Sequence, residues 1–329
     1  MILLTAKEIK SIFTMKEAIE ADKEALRMYT SGKTNIPLRV NIDIPKFNGQ
    51  SLFMPGYAEE LDITGIKIVS VFPKNIEKGK PSVPAQMILL DGETGEVISI
   101  MDGTYLTQLR TGAVAGAATD ILARKNAKKL ALFGTGGQAP SQLEAILSVR
   151  DIELVKVFDI NKERAEEFAS NMQKELGSYG AKIVAAESSD DAIKDADIIT
   201  TVTTSKKPVF NGKLVKKGTH INGIGAYTPE MQEISEFIIE NSDKIFLDTQ
   251  DGVLSEAGDF IIPMKKGIID KADISGELGE VILGRKTGRE NDEQITLFKS
   301  VGTAILDVVV AFKIYEKAKK SGIGTKFEL

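Results

Sequence analysis

Apolar and polar positions alternate with a different period in successive parts of the chain. Residues 5–31 have the pattern of a helix, and Thr5 and Thr14 are candidate N-caps because a glutamate follows each of them by three positions. From residue 35 to residue 100 the pattern changes to short β-type runs broken by Gly and Pro, which predicts an antiparallel sheet. The predicted strands of this sheet are 39–44, 51–54, 64–72, 85–90 and 97–100.

A long helix is predicted next, over residues 105–124, and its central turns carry mostly Ala and Gly. Such small side chains let a second backbone or a cofactor approach closely, and tight helix packing alone would also explain them. Strands and helices then alternate, as in a doubly wound parallel sheet. The predicted strands are 130–133, 154–158, 182–185, 197–202, 219–224 and 244–248, and the predicted helices are 137–148, 161–177 and 188–195. A last helix over 293–320 is expected to return to the first domain.

Length, charge and residue usage narrow the class of protein. At 329 residues the chain exceeds the size of a single hydrophobic core, so two domains are expected. A net charge of −5 without a long basic run argues against nucleic acid, and no stretch has the length and apolarity of a membrane span. The lack of cysteine excludes disulfides and fits a cytoplasmic protein. The single histidine, His220, is interpreted as structural, and no metal site is expected.

A glycine-rich turn follows the first strand of the βα alternation. It reads GTGGQA at 134–139, which is the pattern G-x-G-x-x-A of dinucleotide-binding turns. Gly134 allows the tight turn, Gly136 lets the backbone approach a pyrophosphate, and Ala139 lets the next helix pack on the sheet. That helix would direct its free N–H groups and its positive dipole end at the phosphates.

The second strand of this unit ends in an acidic residue, Asp159. A carboxylate at this place accepts hydrogen bonds from an adenosine ribose and repels a 2′-phosphate. Asn161 is not the basic residue expected to bind a 2′-phosphate, although Lys162 and Arg164 lie close by. NAD(H) is therefore the preferred cofactor, and NADP(H) is not excluded.

Three basic residues in the N-terminal half are candidates for substrate binding. Arg39 and Lys67 lie in strand patterns, and Arg110 lies in the helix rich in Ala and Gly. Together they would clamp an α-carboxylate, because Arg offers a bidentate fork and Lys a point charge. A lysine near other cations has a lowered pKa and suits general acid or base catalysis. Taken singly, each of them is better explained as a solvated charge.

Seven stretches, in order along the chain, carry a family resemblance: GIKIVSVFP (65–73), LTQLRTGAVAG (106–116), GTGGQ (134–138), INGIG (221–225), EAGD (256–259), SGELG (275–279) and FKSVGTAILD (298–307). Through them the chain resembles the ornithine cyclodeaminase/μ-crystallin family over nearly its whole length. Members of that family include ornithine and lysine cyclodeaminases, an archaeal type of alanine dehydrogenase, ketimine and Δ1-pyrroline-2-carboxylate reductases, and the hormone-binding μ-crystallins.

The resemblance implies an α/β fold with two parts. One is a Rossmann domain, a doubly wound parallel sheet, expected over residues 116–299. The other is an α+β N-terminal domain for substrate binding and dimerisation, expected over residues 1–115 with 300–329. The expected assembly is a homodimer whose N-terminal domains jointly form the core.

The resemblance also assigns roles to individual residues. Arg39, Lys67 and Arg110 match the residues that hold the substrate carboxylate, and Lys67 would also be the proton donor or acceptor. Arg110 and Thr111 are expected to lie against the cofactor as well. The full set of expected cofactor-binding residues is Ser82, Arg110, Thr111, Gly134, Gly136, Gly137, Gln138, Asp159, Thr203, Gly225 and Ser300.

Three positions depart from the cyclodeaminase pattern. Where cyclodeaminases and archaeal alanine dehydrogenases carry an aspartate proposed to be catalytic, this chain has Tyr227, whose hydroxyl would donate a hydrogen bond or a proton. Cyclodeaminases also have a basic residue near Met231 and an acidic residue at Leu52 that contacts the distal ammonium of ornithine. An ammonium buried without that carboxylate is strongly disfavoured, so ornithine is expected to be a poor substrate.

These features favour an NAD(H)-dependent oxidoreductase that acts at the C–N bond of an α-amino or α-imino acid. Δ1-pyrroline-2-carboxylate and alanine are the candidate substrates. The alternatives are an ornithine or lysine cyclodeaminase that uses NAD catalytically, and a μ-crystallin-like nucleotide-dependent binding protein. Opine-like condensing dehydrogenase chemistry is compatible with the same residues.

Overall fold

The computed structural model describes residues 1–328, and the chain divides into two compact units. The first unit comprises Met1–Arg110 and the C-terminal segment that begins at Thr303, and the second comprises Thr111–Gly302. The strands are β1 (Ile2–Leu4), β2 (Thr34–Asn35), β3 (Val40–Ile44), β4 (Gly49–Ala58), β5 (Ile63–Val71), β6 (Ala85–Asp91), β7 (Val97–Asp102), β8 (Lys129–Phe133), β9 (Leu154–Phe158), β10 (Lys182–Ala185), β11 (Ile198–Thr201), β12 (His220–Gly223), β13 (Lys244–Leu247), β14 (Gly276–Glu277), β15 (Thr296–Lys299) and β16 (Thr325–Lys326). The helices are α1 (Ala6–Ile12), α2 (Met15–Thr30), α3 (Gly103–Leu122), α4 (Ala139–Val149), α5 (Lys162–Leu176), α6 (Ser189–Ile193), α7 (Glu236–Glu240), α8 (Gln250–Glu256), α9 (Gly258–Lys265), α10 (Leu278–Ile282) and α11 (Ala304–Ser321).

The first unit is built on a mainly antiparallel sheet with the order β16-β1-β7-β6-β5-β4-β2, and β3 also pairs with β4. Only β1 and β7 run parallel among these pairs of described strands. Buried and half-buried residues alternate along β5, and Lys67 falls on the buried face. Helix α11 packs against that sheet and against α2, so the C-terminal helix does return to the first part of the chain.

The predicted helix over 5–31 consists of two helices, α1 and α2. Thr14 between them has extended backbone, with φ −88° and ψ 159°. Its hydroxyl accepts a hydrogen bond from the N–H of Glu17 at 3.3 Å, and the Glu17 carboxylate accepts one from the N–H of Thr14 at 2.9 Å. Thr5 and Glu8 form the same reciprocal capping box at the start of α1. Both predicted N-caps are confirmed, and Thr14 interrupts the helix because an N-cap residue is not helical.

The second unit is built on a parallel sheet with the order β10-β9-β8-β11-β12-β15-β13-β14. Successive strands run outward from β8 to β10 on one side and from β11 to β12 on the other. This is the strand order of a Rossmann sheet, so the predicted fold class is confirmed. Because the order reverses between β8 and β11, their carboxyl ends border the crevice where such sheets bind nucleotides.

One prediction for the second half of the chain is wrong. The segment 293–320 is not a single helix: Thr296–Lys299 forms β15 between β12 and β13, and α11 begins only at Ala304. A central strand buried on both faces lacks the polar and apolar alternation that distinguishes a strand from a helix in sequence. Gly302 has φ +80°, a left-handed conformation that ends a helix. The two-residue strand β14 is likewise absent from the predicted set.

Candidate active site

Lys67 lies on the buried face of β5, opposite Met54 of β4 and Met87 of β6. Its side chain is 1% exposed, and its ammonium donates a 2.7 Å hydrogen bond to Oδ2 of Asp307. Burial lowers the pKa of Lys67 to about 7; the charge of Arg110 acts in the same direction, and Asp307 opposes both. The amine can therefore gain or lose a proton near neutral pH, as a general acid or base requires.

Arg110 projects from α3 and shares the same carboxylate. Its Nε donates a 2.9 Å hydrogen bond to Oδ1 of Asp307, and the side chain is buried. Within residues 1–328 the hydrogen bonds of this guanidinium are confined to Nε, which leaves Nη1 and Nη2 for a bidentate bond to a carboxylate. Arg39, just before β3, is half-buried, and its charge also lowers the pKa of Lys67. In the first unit the charges of both arginines therefore lower the pKa of Lys67. We call Arg39, Lys67 and Arg110, together with Asp307, the cation cluster.

Asp307 is a site residue that the sequence did not single out. It lies in the first turn of α11, within the run AILDVVVA (304–311), and the other side chains of that run are apolar and buried. A signal was present in the sequence, because a lone acid inside a buried apolar helix needs a partner.

The sheet face beside Lys67 is apolar. Register pairs Met54 with Lys67 and Leu52 with Val69, so Leu52 lies diagonally across from Lys67 on the same face. Leu52 packs against a cluster formed by Met54, Val69, Ala85 and Ala304. The position at which cyclodeaminases carry an acid is therefore part of a hydrophobic surface in this protein.

The glycine turn after β8 fits a dinucleotide. Gly134 has φ +98°, and a Cβ there would lie 2.8 Å from the carbonyl oxygen of Val202, so the turn requires glycine. A Cβ on Gly136 would meet no atom within 4 Å, which means that this backbone borders open space. Oε1 of Gln138 is buried and lacks a hydrogen-bond partner among the described residues, and α4 begins directly afterwards at Ala139. An open glycine backbone at a helix N-terminus suits a pyrophosphate, and the orphaned acceptor suits a hydroxyl.

Asp159 follows β9 and is tied to the glycine turn. Its Oδ2 accepts hydrogen bonds from the N–H and the hydroxyl of Thr135, at 3.1 and 2.7 Å. Its Oδ1 accepts one from the N–H of Asn161 at 3.0 Å. An ionised carboxylate has about four acceptor sites, so capacity remains for ribose hydroxyls. The Asn161 side chain is engaged in capping α5, where it accepts from the N–H of Arg164 at 2.8 Å.

The predicted cofactor residues Thr203 and Gly225 are held together by a second residue that the sequence did not single out, Glu233. Its Oε1 accepts from the N–H of Thr203 at 2.5 Å. Its Oε2 accepts from the N–H groups of Gly225 and Ala226, at 2.6 and 2.9 Å. A Cβ on Gly225 would lie 2.2 Å from the carbonyl oxygen of Thr203, so this approach requires glycine. Tyr227 comes next in the chain and is half-buried; its catalytic role stays a prediction.

Three other predicted cofactor residues already make hydrogen bonds. Ser300 is buried and donates its hydroxyl to Oδ2 of Asp248 at 2.6 Å, so its single proton is committed. The Thr111 carbonyl accepts from the side-chain amide of Gln142 at 2.7 Å. In the first unit, the Ser82 carbonyl accepts from the backbone N–H of Phe72 at 2.8 Å. Binding of a cofactor by these three residues stays a prediction.

His220 is enclosed by the parallel sheet. Its Nδ1 lies 2.8 Å from the Thr296 hydroxyl, and its Nε2 lies 3.0 Å from Oδ1 of Asn222. Burial, with the charge of Arg289 as the next cause, lowers the pKa of His220 to about 3, so the ring is neutral at physiological pH. This agrees with a structural role.

The described part of the chain shows neither a metal centre nor a membrane span. Within residues 1–328 no group of three His, Asp or Glu side chains is arranged to hold a metal ion. In the same residues no helix combines the length and the apolarity needed to cross a bilayer.

Known proteins match the chain along nearly its whole length. The model of the ornithine cyclodeaminase/mu-crystallin family matches residues 1–322. The Δ1-pyrroline-2-carboxylate reductase of Bacillus cereus is 40% identical over 328 residues, which are 100% of both chains. The family resemblance read from the motifs is confirmed by these matches.

Solved structures agree with the fold and with a nicotinamide cofactor. The Δ1-pyrroline-2-carboxylate reductase of Thermococcus litoralis, in complex with NADH and L-proline, is 43% identical, with a TM-score of 0.94 over 99% of this chain and 100% of that one. An archaeal alanine dehydrogenase dimer with bound NAD is 39% identical, with a TM-score of 0.91 over 100% of this chain and 99% of that one.

Proposed function

The chain belongs to the ornithine cyclodeaminase/mu-crystallin family, and on that premise we propose that it is an NAD(H)-dependent oxidoreductase that reduces Δ1-pyrroline-2-carboxylate to proline. The observation that carries the proposal is the pair of buried cations, Lys67 and Arg110, held by one carboxylate beside an apolar sheet face. The similarity to reductases named for this substrate, one of them bound to NADH and L-proline, supports it.

The cation cluster carries excess positive charge that can bind a substrate carboxylate. When Lys67 is protonated, it and Arg110 carry two positive charges, and Asp307 between them is the one carboxylate that pairs with both. A buried excess charge is costly, so an anion that enters this cluster lowers its net positive charge. Nη1 and Nη2 of Arg110 offer the carboxylate a bidentate site, and Arg39 adds a further positive charge.

Reduction of the ring imine adds a hydride to C2 and a proton to the ring nitrogen. NAD(H), when bound, supplies the hydride. Lys67 supplies the proton from Nζ, which its lowered pKa allows near neutral pH. The C=N π bond is consumed, one C–H and one N–H bond form, and solvent restores the proton on Lys67.

The apolar face at Leu52 favours a cyclic imine over ornithine. The carbon atoms of a five-membered ring can pack on the cluster that contains Leu52 and Val69. A distal ammonium would lose its water there without meeting a carboxylate, which is strongly unfavourable. This difference argues for net imine reduction and against cyclodeamination.

NAD(H) is the cofactor that the second unit fits best. Asp159 would accept the ribose hydroxyls and repel a 2′-phosphate, and Asn161 is neutral and committed to capping α5. The open backbone at Gly136 suits the pyrophosphate. A lower KM for NADH than for NADPH is the expected result.

A homodimer formed through β3 is part of the proposal. This strand pairs only with β4 among the described strands, and Val40 and Ile42 on it are more than half exposed, as are Leu38, Phe47 and Ile76 elsewhere in the first unit. An uncovered strand with apolar side chains invites association, and the proposed occupant is a second copy of the chain. The dimeric alanine dehydrogenase supports this choice.

A substrate panel tests the proposed activity. NADH absorbance is followed with Δ1-pyrroline-2-carboxylate and, separately, with pyruvate plus ammonia, and ammonia release is measured from ornithine with NAD. The expected result is the highest kcat/KM with the cyclic imine, with Lys67→Met as an inactive variant that still binds NADH. Ammonia release from ornithine without net NADH change would identify a cyclodeaminase. Faster turnover of pyruvate plus ammonia would identify an alanine dehydrogenase.

A further inference from the structure

Asp307 occupies a place where a charge is hard to accommodate. The residues on both sides of it in α11, Leu306 and Val308, are fully buried. Its place in the first turn of the helix helps, because the positive end of the helix dipole favours a carboxylate there. A buried ion pair is nevertheless weak evidence for a stabilising role, since apolar side chains of similar volume stabilise a fold equally well. The position therefore calls for a functional explanation.

The geometry around Asp307 suggests that function. One carboxylate oxygen accepts from Lys67 at 2.7 Å, and the other accepts from Arg110 at 2.9 Å. Each oxygen thus fixes one of the two cations. The bond to Arg110 uses Nε, so the Nη1–Nη2 fork stays clear for a second carboxylate. The bond to Lys67 uses one of three ammonium protons.

A second acid in this unit, Asp22 on α2, behaves differently. It is fully buried, and both of its carboxylate oxygens lack a hydrogen-bond partner among the described residues. Burial raises the pKa of Asp22 well above its usual value, with the charge of Asp307 adding to the effect and that of Arg110 opposing it. Burial therefore disfavours the charged form of Asp22, and Asp307 is the carboxylate that pairs with the two cations.

We propose that Asp307 is a positioning residue of the reaction, which aims Lys67 and Arg110 at the substrate carboxylate and retains the proton on Lys67 until the imine nitrogen takes it. This inference rests on the proposed function, in which Lys67 and Arg110 bind the substrate carboxylate and Lys67 donates the proton to the imine. The charges that act on Lys67 are Arg110 on α3 and Arg39 before β3, which favour the neutral amine, and Asp307 on α11, which favours the ammonium. Without Asp307, Lys67 loses its proton at neutral pH.

The test compares the same substitution at the two buried acids of the first unit. Asp307→Asn removes the charge that pairs with Lys67, whereas Asp22→Asn changes a buried acid whose carboxylate oxygens have no hydrogen-bond partner among the described residues to an amide of the same size. Lys67 is titrated by NMR in protein labelled with [ε-13C]lysine, and its signal is identified by its loss in Lys67→Met. Circular dichroism and NADH binding show whether each variant is folded.

The expected midpoint for Lys67 lies near pH 7 in the wild type and in Asp22→Asn. In Asp307→Asn it falls by at least about one pH unit, which is a tenfold change in the protonated to neutral ratio. The alkaline limb of kcat/KM for Δ1-pyrroline-2-carboxylate moves down with it, and KM rises. An unchanged Lys67 midpoint in Asp307→Asn would overturn the inference even if the enzyme is active. A shifted midpoint in a protein that reduces no imine would overturn the proposed function alone.

Asp307→Glu serves as the second variant, and decides the matter if Asp307→Asn does not fold. It keeps the charge but adds one methylene, so both ion pairs cannot stay where they are. The expected result is a Lys67 midpoint close to that of the wild type, with KM for the imine raised several-fold and a smaller change in kcat. A KM equal to that of the wild type would contradict the aiming role of Asp307.

Discussion

Because the backbone at Gly136 borders open space, a substitution there should weaken cofactor binding without destabilising the fold. A Cβ built at this glycine meets no atom within 4 Å, and its φ lies outside the left-handed region, so Gly136→Ala fits the free protein. Such a replacement usually stabilises a fold slightly, by about 0.4–1 kcal/mol, because it restricts the unfolded chain. The new methyl group would occupy the space that a pyrophosphate needs. NADH binding is therefore expected to weaken while stability is kept.

The size of the effect follows from the crowding. Forcing a methyl group into a filled contact costs about 1–3 kcal/mol, which corresponds to a roughly 5- to 150-fold rise in Kd. NADH at a hundred times the wild-type Kd stabilises the wild type by about 2.7 kcal/mol. A thirty-fold rise in Kd leaves about 0.9 kcal/mol of that stabilisation. For a chain of 329 residues these energies correspond to Tm increases of about 4 °C and about 1 °C.

The assay is a thermal melt with and without NADH, supported by a fluorescence titration of NADH. The matched control is Gly177→Ala: Gly177 follows α5 with φ −60°, and a Cβ there would make an ordinary contact of 3.4 Å with Gln173. The control should keep the wild-type increase in Tm with NADH. Tight NADH binding by Gly136→Ala would refute the assignment of this turn to the pyrophosphate.

Three further predictions concern the first unit. Leu52→Glu puts a carboxylate on the apolar face beside Lys67, so kcat/KM for Δ1-pyrroline-2-carboxylate should fall at least tenfold and ornithine should become a competitive inhibitor; Leu52→Met, as the control, should do neither. If the proposed dimer forms through β3, Ile42→Lys on this exposed strand should give a monomer in sedimentation velocity, and a dimer that persists in this variant would exclude the interface. Because Lys67 must be protonated to donate and its pKa is about 7, kcat/KM for imine reduction should be maximal below pH 7 and fall with rising pH above it. A flat profile, after correction for titration of the substrate, would contradict the assignment of the proton to Lys67.

The fold was largely predictable because its signals are local. Most of the strands β8 to β13 are short, mainly apolar runs bounded by turns or helices, so their positions can be read within a few residues. The capping boxes at Thr5 and Thr14 are also local, since cap and glutamate lie three positions apart. Strand β15 was not predicted because a buried apolar run next to a helix shows no period that distinguishes a strand from a continuation of that helix.

The site was only half predictable, because its remaining half depends on contacts between distant parts of the chain. Lys67 and Arg110 were selected by residue type and motif, but their shared carboxylate lies 240 positions beyond Lys67. Glu233 was missed for a related reason. Its carboxylate accepts hydrogen bonds from the backbone N–H groups of Thr203 and Gly225, and a bond to the backbone does not require a particular side chain at those positions.

The central claim is net reduction of a cyclic imine at the cation cluster, and isotope transfer tests it most directly. The protein is incubated with Δ1-pyrroline-2-carboxylate and NADH that carries deuterium at the transferable C4 position, and the products are analysed by mass spectrometry. We expect one proline labelled at C2 for each NADH oxidised, and no labelled product with Lys67→Met. Consumption of the labelled NADH without deuterated proline, or proline formed from ornithine with no net loss of NADH, would contradict the claim.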